Sequence, residues 1–91
     1  MDDIIVYSQD SCPYCQELKE LLDEAGIPYK VKNIDKYTKE WEKISKSSNN
    51  KYVPSVLIVN KKAKTGKVLA PDRDFDDVGE CFQKIVQYIT N

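Results

Sequence analysis

Cys12-Pro13-Tyr14-Cys15 follows closely on the apolar run Ile4-Ile5-Val6-Tyr7, and that juxtaposition constrains the chain more than any other feature. A short β-branched run of this kind reads as a buried strand. Beyond Cys12 the apolar positions Cys15, Leu18, Leu21, Leu22 and Ala25 recur at helical spacing, and Gly26 supplies a stop. The two cysteines therefore sit at a strand-to-helix turn. With Cys12 as N-cap, Pro13 takes the first helical position, where its missing N–H costs nothing. The amides of Tyr14 and Cys15 then lack partners within the helix and are free to point at the Cys12 sulfur. Those donors and the helix dipole favour the thiolate, lowering the Cys12 pKa below the ~8.5 of a free cysteine. Cys15 lies one turn in and is less exposed. Cys12 is then the nucleophile toward a disulfide and Cys15 the resolving thiol.

Other chemistries of cysteine fit less well. A structural zinc site normally needs four Cys or His ligands, and the chain holds no histidine and only Cys81 besides the pair. No metal is expected. A Cys-His nucleophile is excluded by the same composition. Two buried cysteines by coincidence would leave the proline and the strand–turn–helix context unexplained. Cys81 is a different case: it falls on an apolar helix face, where cysteine packs as a small hydrophobe.

Along the rest of the chain, Ile27-Pro28 turns and Tyr29 to Ile34 alternates apolar and polar residues, predicting a half-buried strand. Strand, helix and strand at this spacing form a βαβ unit with parallel strands. A helix is predicted from about Lys39 to Ser47, with Trp41 and Ile44 as its thin apolar content, and a polar loop over Ser45 to Lys51. Val56-Leu57-Ile58-Val59, introduced by Pro54, is a continuous apolar strand. A lysine-rich turn from Asn60 to Gly66 leads to a short strand, Lys67 to Ala70, completing a hairpin. Pro71 to Asp74 reads as a loop. Val78, Cys81, Phe82, Ile85, Val86 and Ile89 give the last helix, predicted from about Phe75 to Ile89, one broad apolar face. The order β-α-β-α-β-β-α implies an α/β fold, a mixed four-stranded sheet with helices on both faces.

The net charge of −1 implies no steering toward nucleic acid, although the charges are segregated. Residues 30–67 carry eleven lysines against Asp35, Glu40 and Glu42, a surface read as solvated rather than as a polyanion site. No stretch approaches the ~20 apolar residues of a membrane span. Met1-Asp2-Asp3 runs straight into a strand, so no cleavable leader is expected. Cysteine usage fits a reducing, cytoplasmic setting.

Tyr52-Val53-Pro54 adds a second motif. Cys-Pro-Tyr-Cys near the N-terminus, with Val53-Pro54 before an apolar strand, resembles the glutaredoxins of the thioredoxin-like superfamily. The resemblance covers nearly all of 1–91 as one domain and implies the thioredoxin-like fold in its glutaredoxin form. It implies a cis Val53–Pro54 bond, with the Val53 backbone pairing strand-like with a bound glutathione or substrate. It also implies glutathione as cosubstrate, protein disulfides as substrates, a monomer, and no bound cofactor. Catalysis falls to Cys12 and Cys15, and substrate binding to Tyr14, Lys51, Val53, Pro54 and Asp76.

The chain departs from that family in two places. Gln9 stands where glutathione-using members carry a lysine, and a neutral hydrogen bond is weaker than a charge-assisted one. Lys51 is expected to compensate by meeting a glutathione carboxylate. Before the last helix, Arg73-Asp74-Phe75-Asp76-Asp77 keeps two aspartates but lacks the family's paired glycines, which permit close backbone approach. Asp76 is there open to two roles, glutathione contact or helix capping, and Arg73 is a candidate replacement cation. The two departures raise an alternative, a redoxin recharged by thioredoxin reductase. A non-catalytic adaptor on the same fold is the reading from another class.

Overall fold

The computed structural model describes residues 2–90. It contains β1 (Asp2–Ser8), α1 (Pro13–Glu24), β2 (Lys30–Asn33), α2 (Thr38–Ser48), β3 (Ser55–Asn60), β4 (Thr65–Leu69) and α3 (Val78–Thr90). The strands form one mixed sheet in the order β2-β1-β3-β4. β1 runs parallel to β2, with Val6 opposite Val31, and antiparallel to β3, with Val6 opposite Val56. β3 and β4 form the hairpin, Val56 opposite Leu69. The α/β architecture expected from the element order is thus present, with β1 central.

Alternation along β1 sorts its side chains between two faces. Ile4 and Val6 are buried with Leu18 and Leu22 of α1, Val56 and Ile58 of β3, and Cys81 and Ile85 of α3. Tyr7 points to the other face and is fully buried there, its ring 5.8 Å from that of Trp41 in α2. Helices therefore cover both faces, α1 and α3 on one and α2 on the other.

The local signals explain most boundaries. α1 ends in a Schellman motif: Gly26 adopts φ 69°, its amide donates to Asp23, and the Ile27 amide donates to Leu22. α2 runs on through Ser48, where a loop was expected from Ser45. The buried Ser45 and Ser48 hydroxyls donate to the Glu42 and Ile44 carbonyls, so these serines are satisfied inside the helix. Trp41 and Ile44 are only half-buried; the two serines are the buried residues of α2. β2 does not alternate as expected. It is an edge strand, and Val31 remains 43% exposed. α3 starts three residues later than the predicted Phe75, at Val78. Phe75 is instead drawn into the core and bridges to Pro71, while Asp77 accepts from the Glu80 amide at 2.8 Å as the cap. Among the described residues no buried side-chain polar atom lacks a partner, and no helix is long and apolar enough to cross a membrane.

Candidate active site

Three local choices build the cysteine turn. Ser11 takes a left-handed conformation, φ 62°, which swings the chain from β1 toward α1. Cys12 is the extended N-cap, with φ −100° and ψ 103°, and its carbonyl already accepts from Gln16 at 3.1 Å. Pro13 occupies the first turn. Cys12 and Cys15 are joined as a disulfide with Cα atoms 5.3 Å apart. Of the two amides expected to face the Cys12 sulfur, that of Cys15 does so at 3.2 Å; Tyr14 makes no such bond among the described residues. Cys15 is buried, whereas Cys12 is partly open to solvent.

Val53–Pro54 is cis, as the resemblance implied. The approach to it is braced on both sides: the Tyr52 amide donates to Asn50 Oδ1 at 2.8 Å, and Ser55 Oγ donates to the Tyr52 carbonyl at 2.9 Å. A groove of about 390 Å³ runs beside this segment, and Tyr14, Val53, Pro54 and Asp76 all line it. Four of the expected site residues therefore come together. Cys12 borders a separate hollow of about 510 Å³ on the β2 side of the motif, shared with Gln9 and Lys19. The cysteine turn lies between the two hollows.

Lys51 does not join the groove. It lines a neighbouring cavity with Lys46 and Asn49, with Tyr52 bordering both. Arg73 is not free to replace the missing cation either. Its guanidinium pairs with Asp74 at 2.7 Å and donates to the Val68 carbonyl at 2.7 Å. The choice left open at Asp76 is also decided in part: Asp77 caps α3, and only the Asp76 amide, donating to Glu80, takes part in the cap.

Tyr52 and Asp72 are among the groove residues that the sequence does not single out. Tyr52 adjoins Val53 and is 67% exposed, matching Tyr14 at 65% across the groove. Its signal was an aromatic residue directly before the Val-Pro step. Asp72 lines the groove because it adopts φ 64°, a backbone state that no composition or spacing announces.

The buried groups away from the groove are structural. Burial and the Asp74 charge push the Cys81 thiol up to about 12, so it stays protonated and inert. At Asp74, burial acts to raise the pKa. The Arg73 hydrogen bond, the Ala70 amide and the charges of Arg73 and Lys67 outweigh it and hold the carboxyl below the usual range. Chemically, the site offers one accessible sulfur at a helix N-terminus, a buried partner sulfur, and an extended ledge with free aromatic faces beside them.

Comparison with known proteins agrees with this geometry. The Glutaredoxin family model matches residues 4–63, which include the cysteine turn and the cis-proline ledge but not the loop at Asp72. Glutaredoxin 1 of Rickettsia conorii is 42% identical over 59 residues, 63% of this chain and 58% of that protein. Glutaredoxin 3 of Escherichia coli K12 is 31% identical over 58 residues, 64% of this chain and 70% of that protein. The match thus spans under two thirds of the Rickettsia relative's length. The glutaredoxin grx-1 of Archaeoglobus fulgidus shares the fold, with a TM-score of 0.66 at 24% identity, covering 100% of this chain and 89% of that one. With well over half of its residues matched by the family model, the chain belongs to the glutaredoxin family.

Proposed function

We propose that this protein is a thiol–disulfide oxidoreductase that reduces protein disulfides or glutathione mixed disulfides, with glutathione restoring its dithiol. The observation that carries the reading is the Cys12–Cys15 disulfide at the start of α1, one sulfur accessible and the other buried. In the reduced protein, the Cys12 thiolate attacks one sulfur of a substrate disulfide. A Cys12–substrate disulfide forms, and the other substrate sulfur leaves as a thiolate that takes a proton. Cys15 then attacks the Cys12 sulfur, releasing the second substrate thiol and closing the intramolecular disulfide. The substrate gains two electrons and the Cys12–Cys15 pair loses them. Two glutathione molecules reverse the change by successive exchange, leaving as glutathione disulfide.

Within this scheme the Val53 backbone is the pairing edge for an extended thiol peptide, and Tyr14 offers a flat face beside it. The helix amide on Cys12 stabilises its sulfur as it gains charge.

A second reading, recharging by thioredoxin reductase, rests on one specific observation. Among the described residues no basic side chain lines the groove: Lys51 lies in the adjoining cavity and Arg73 is held by Asp74. One assay separates the two. Turnover of a small neutral disulfide is followed with glutathione, glutathione reductase and NADPH in one arm, and with thioredoxin reductase and NADPH in the other. Turnover confined to the second arm overturns glutathione as reductant. Turnover in neither arm, or undiminished turnover by Cys12→Ser, overturns the exchange mechanism itself.

A further inference from the structure

The loop that stands in place of the family's glycines is firmly held. The Asp74 amide donates to the Ala70 carbonyl at 2.9 Å, and the Ala70 amide returns to Asp74 Oδ2 at 2.8 Å. The Asp72 amide donates to the Phe75 carbonyl at 2.8 Å, and Asn50 Nδ2 donates to the Pro71 carbonyl. Two cations beside the loop are engaged by it or its neighbours: Arg73 by Asp74 and the Val68 carbonyl, Lys84 by the Asp74 carbonyl. This scaffold presents Asp72, at φ 64°, and Asp76 to the groove. Both carboxylates are exposed, and neither has a hydrogen-bond or ionic partner among the described residues. The groove therefore combines the unpartnered carboxylates of Asp72 and Asp76, beside the α3-capping Asp77, with the exposed rings of Tyr14 and Tyr52, whose faces attract cations.

We propose that this groove selects polypeptide disulfides that carry a lysine or arginine beside the reacting cysteine and disfavours those with acidic neighbours. The inference rests on the exchange reaction proposed above and adds its substrate class. A chain laid along the Val53 ledge brings its flanking side chains over the groove, where a basic one meets both carboxylates and the aromatic faces. An acidic one meets like charge on a rigid loop that cannot turn away. Glutathione, which carries two carboxylates and one ammonium group, meets the same field and is held by its backbone and sulfur rather than by a carboxylate–cation pair.

The test is a single-turnover comparison of three peptides that differ only in the residues flanking one cysteine: Lys, Gln or Glu. Each is supplied as its mixed disulfide with 2-mercaptoethanol to the fully reduced protein, whose dithiol provides both electrons. Released peptide thiol is quantified after acid quench. Rates are normalised to those with dithiothreitol, because flanking charge alters the intrinsic reactivity of the peptide cysteine. At low ionic strength the Lys peptide should react about tenfold faster than the Glu peptide, and the ratio should shrink several-fold in 0.5 M salt. Asp72→Asn combined with Asp76→Asn should cut the ratio to about threefold or less, Asn being tolerated at the left-handed position. Equal rates for the Lys and Glu peptides, with the Gln peptide reduced, overturn the charge selection and leave the exchange reaction standing. A ratio that survives the two substitutions also overturns it. Failure to reduce any of the peptides overturns the exchange reaction, and the selection with it.

Discussion

The Cys15 amide donates to the Cys12 sulfur at 3.2 Å across the first turn of α1. In the reduced protein the same N–H faces the sulfur that must carry negative charge. Cys12 should therefore be alkylated by iodoacetamide with a pH midpoint below the ~8.5 of free cysteine. Cys12→Ser should reduce disulfide turnover to background. Cys15→Ser should still complete the first exchange and accumulate a Cys12–substrate disulfide, seen by mass spectrometry as a protein–substrate adduct.

Cys81 should resist the same reagent at pH 8 in the folded protein, since it is buried and its thiol is pushed up to about 12. Its proton is retained in the folded state and lost in the unfolded state above the ordinary value of 9.0. Its contribution is complete below that pH and declines as pH rises, by about 1.4 kcal/mol per unit. Urea denaturation of the wild type and Cys81→Ala between pH 7 and 10.5 checks the slope. The paired comparison removes the contribution of Tyr7, whose phenol burial also raises. At pH 7 the substitution should cost about 1–2 kcal/mol through lost packing.

Tyr7 donates its phenol proton to Glu40 at 2.5 Å, and Lys32 Nζ grips both oxygens of the same carboxylate at 2.8 and 3.0 Å. The Lys32 hydrogen bond, then that of Tyr7, holds the Glu40 carboxyl below its ordinary value, against the opposing effect of burial. Stability from this contact is therefore present above pH 4.5 and lost as pH falls through the lowered value. Tyr7→Phe should cost about 1–2 kcal/mol at pH 7. A double-mutant cycle with Glu40→Gln should show a coupling near 1 kcal/mol that fades in acid.

Asp74 accepts from the buried Ala70 amide and from Arg73 Nε, both at 2.8 Å. Asp74→Ala strands that amide and should cost about 2–3 kcal/mol. Asp74→Asn keeps an acceptor for Ala70 and should cost clearly less. Denaturation midpoints of the two variants check the order. Because the folded carboxyl sits below its usual range, the wild-type advantage should diminish on acidification.

The parts of this protein that were legible beforehand are those whose causes are local. Cys12, Pro13 and Gly26 act through the backbone states and unpaired amides of their own turns, so the helix start and stop could be read from neighbours in sequence. The runs at Ile4 and Val56 are apolar enough to demand burial, and the short connections leave few ways to pair them. The resemblance carried by Cys12-Pro13-Tyr14-Cys15 and Val53-Pro54 extended that reading to the ledge. The start of α3 was misplaced because Phe75 suits a helix face locally, yet burial against the core draws it into the loop instead.

A cysteine pair at a helix start and the order of elements around it are written into the sequence, since each follows from interactions within a few residues, whereas the proline ledge is legible only through the family resemblance. The charge of the groove, by contrast, is set by how the loops fold together. Lys51, Arg73, Asp72 and Asp76 are all polar residues of loops, and nothing in their spacing says which way each one turns. Arg73 is bound over by Asp74 and the Val68 carbonyl, Lys51 falls into the next cavity, and Asp72 is turned inward by a left-handed backbone. Long-range contacts set those directions, and a surface charge acts on a substrate only through where it points.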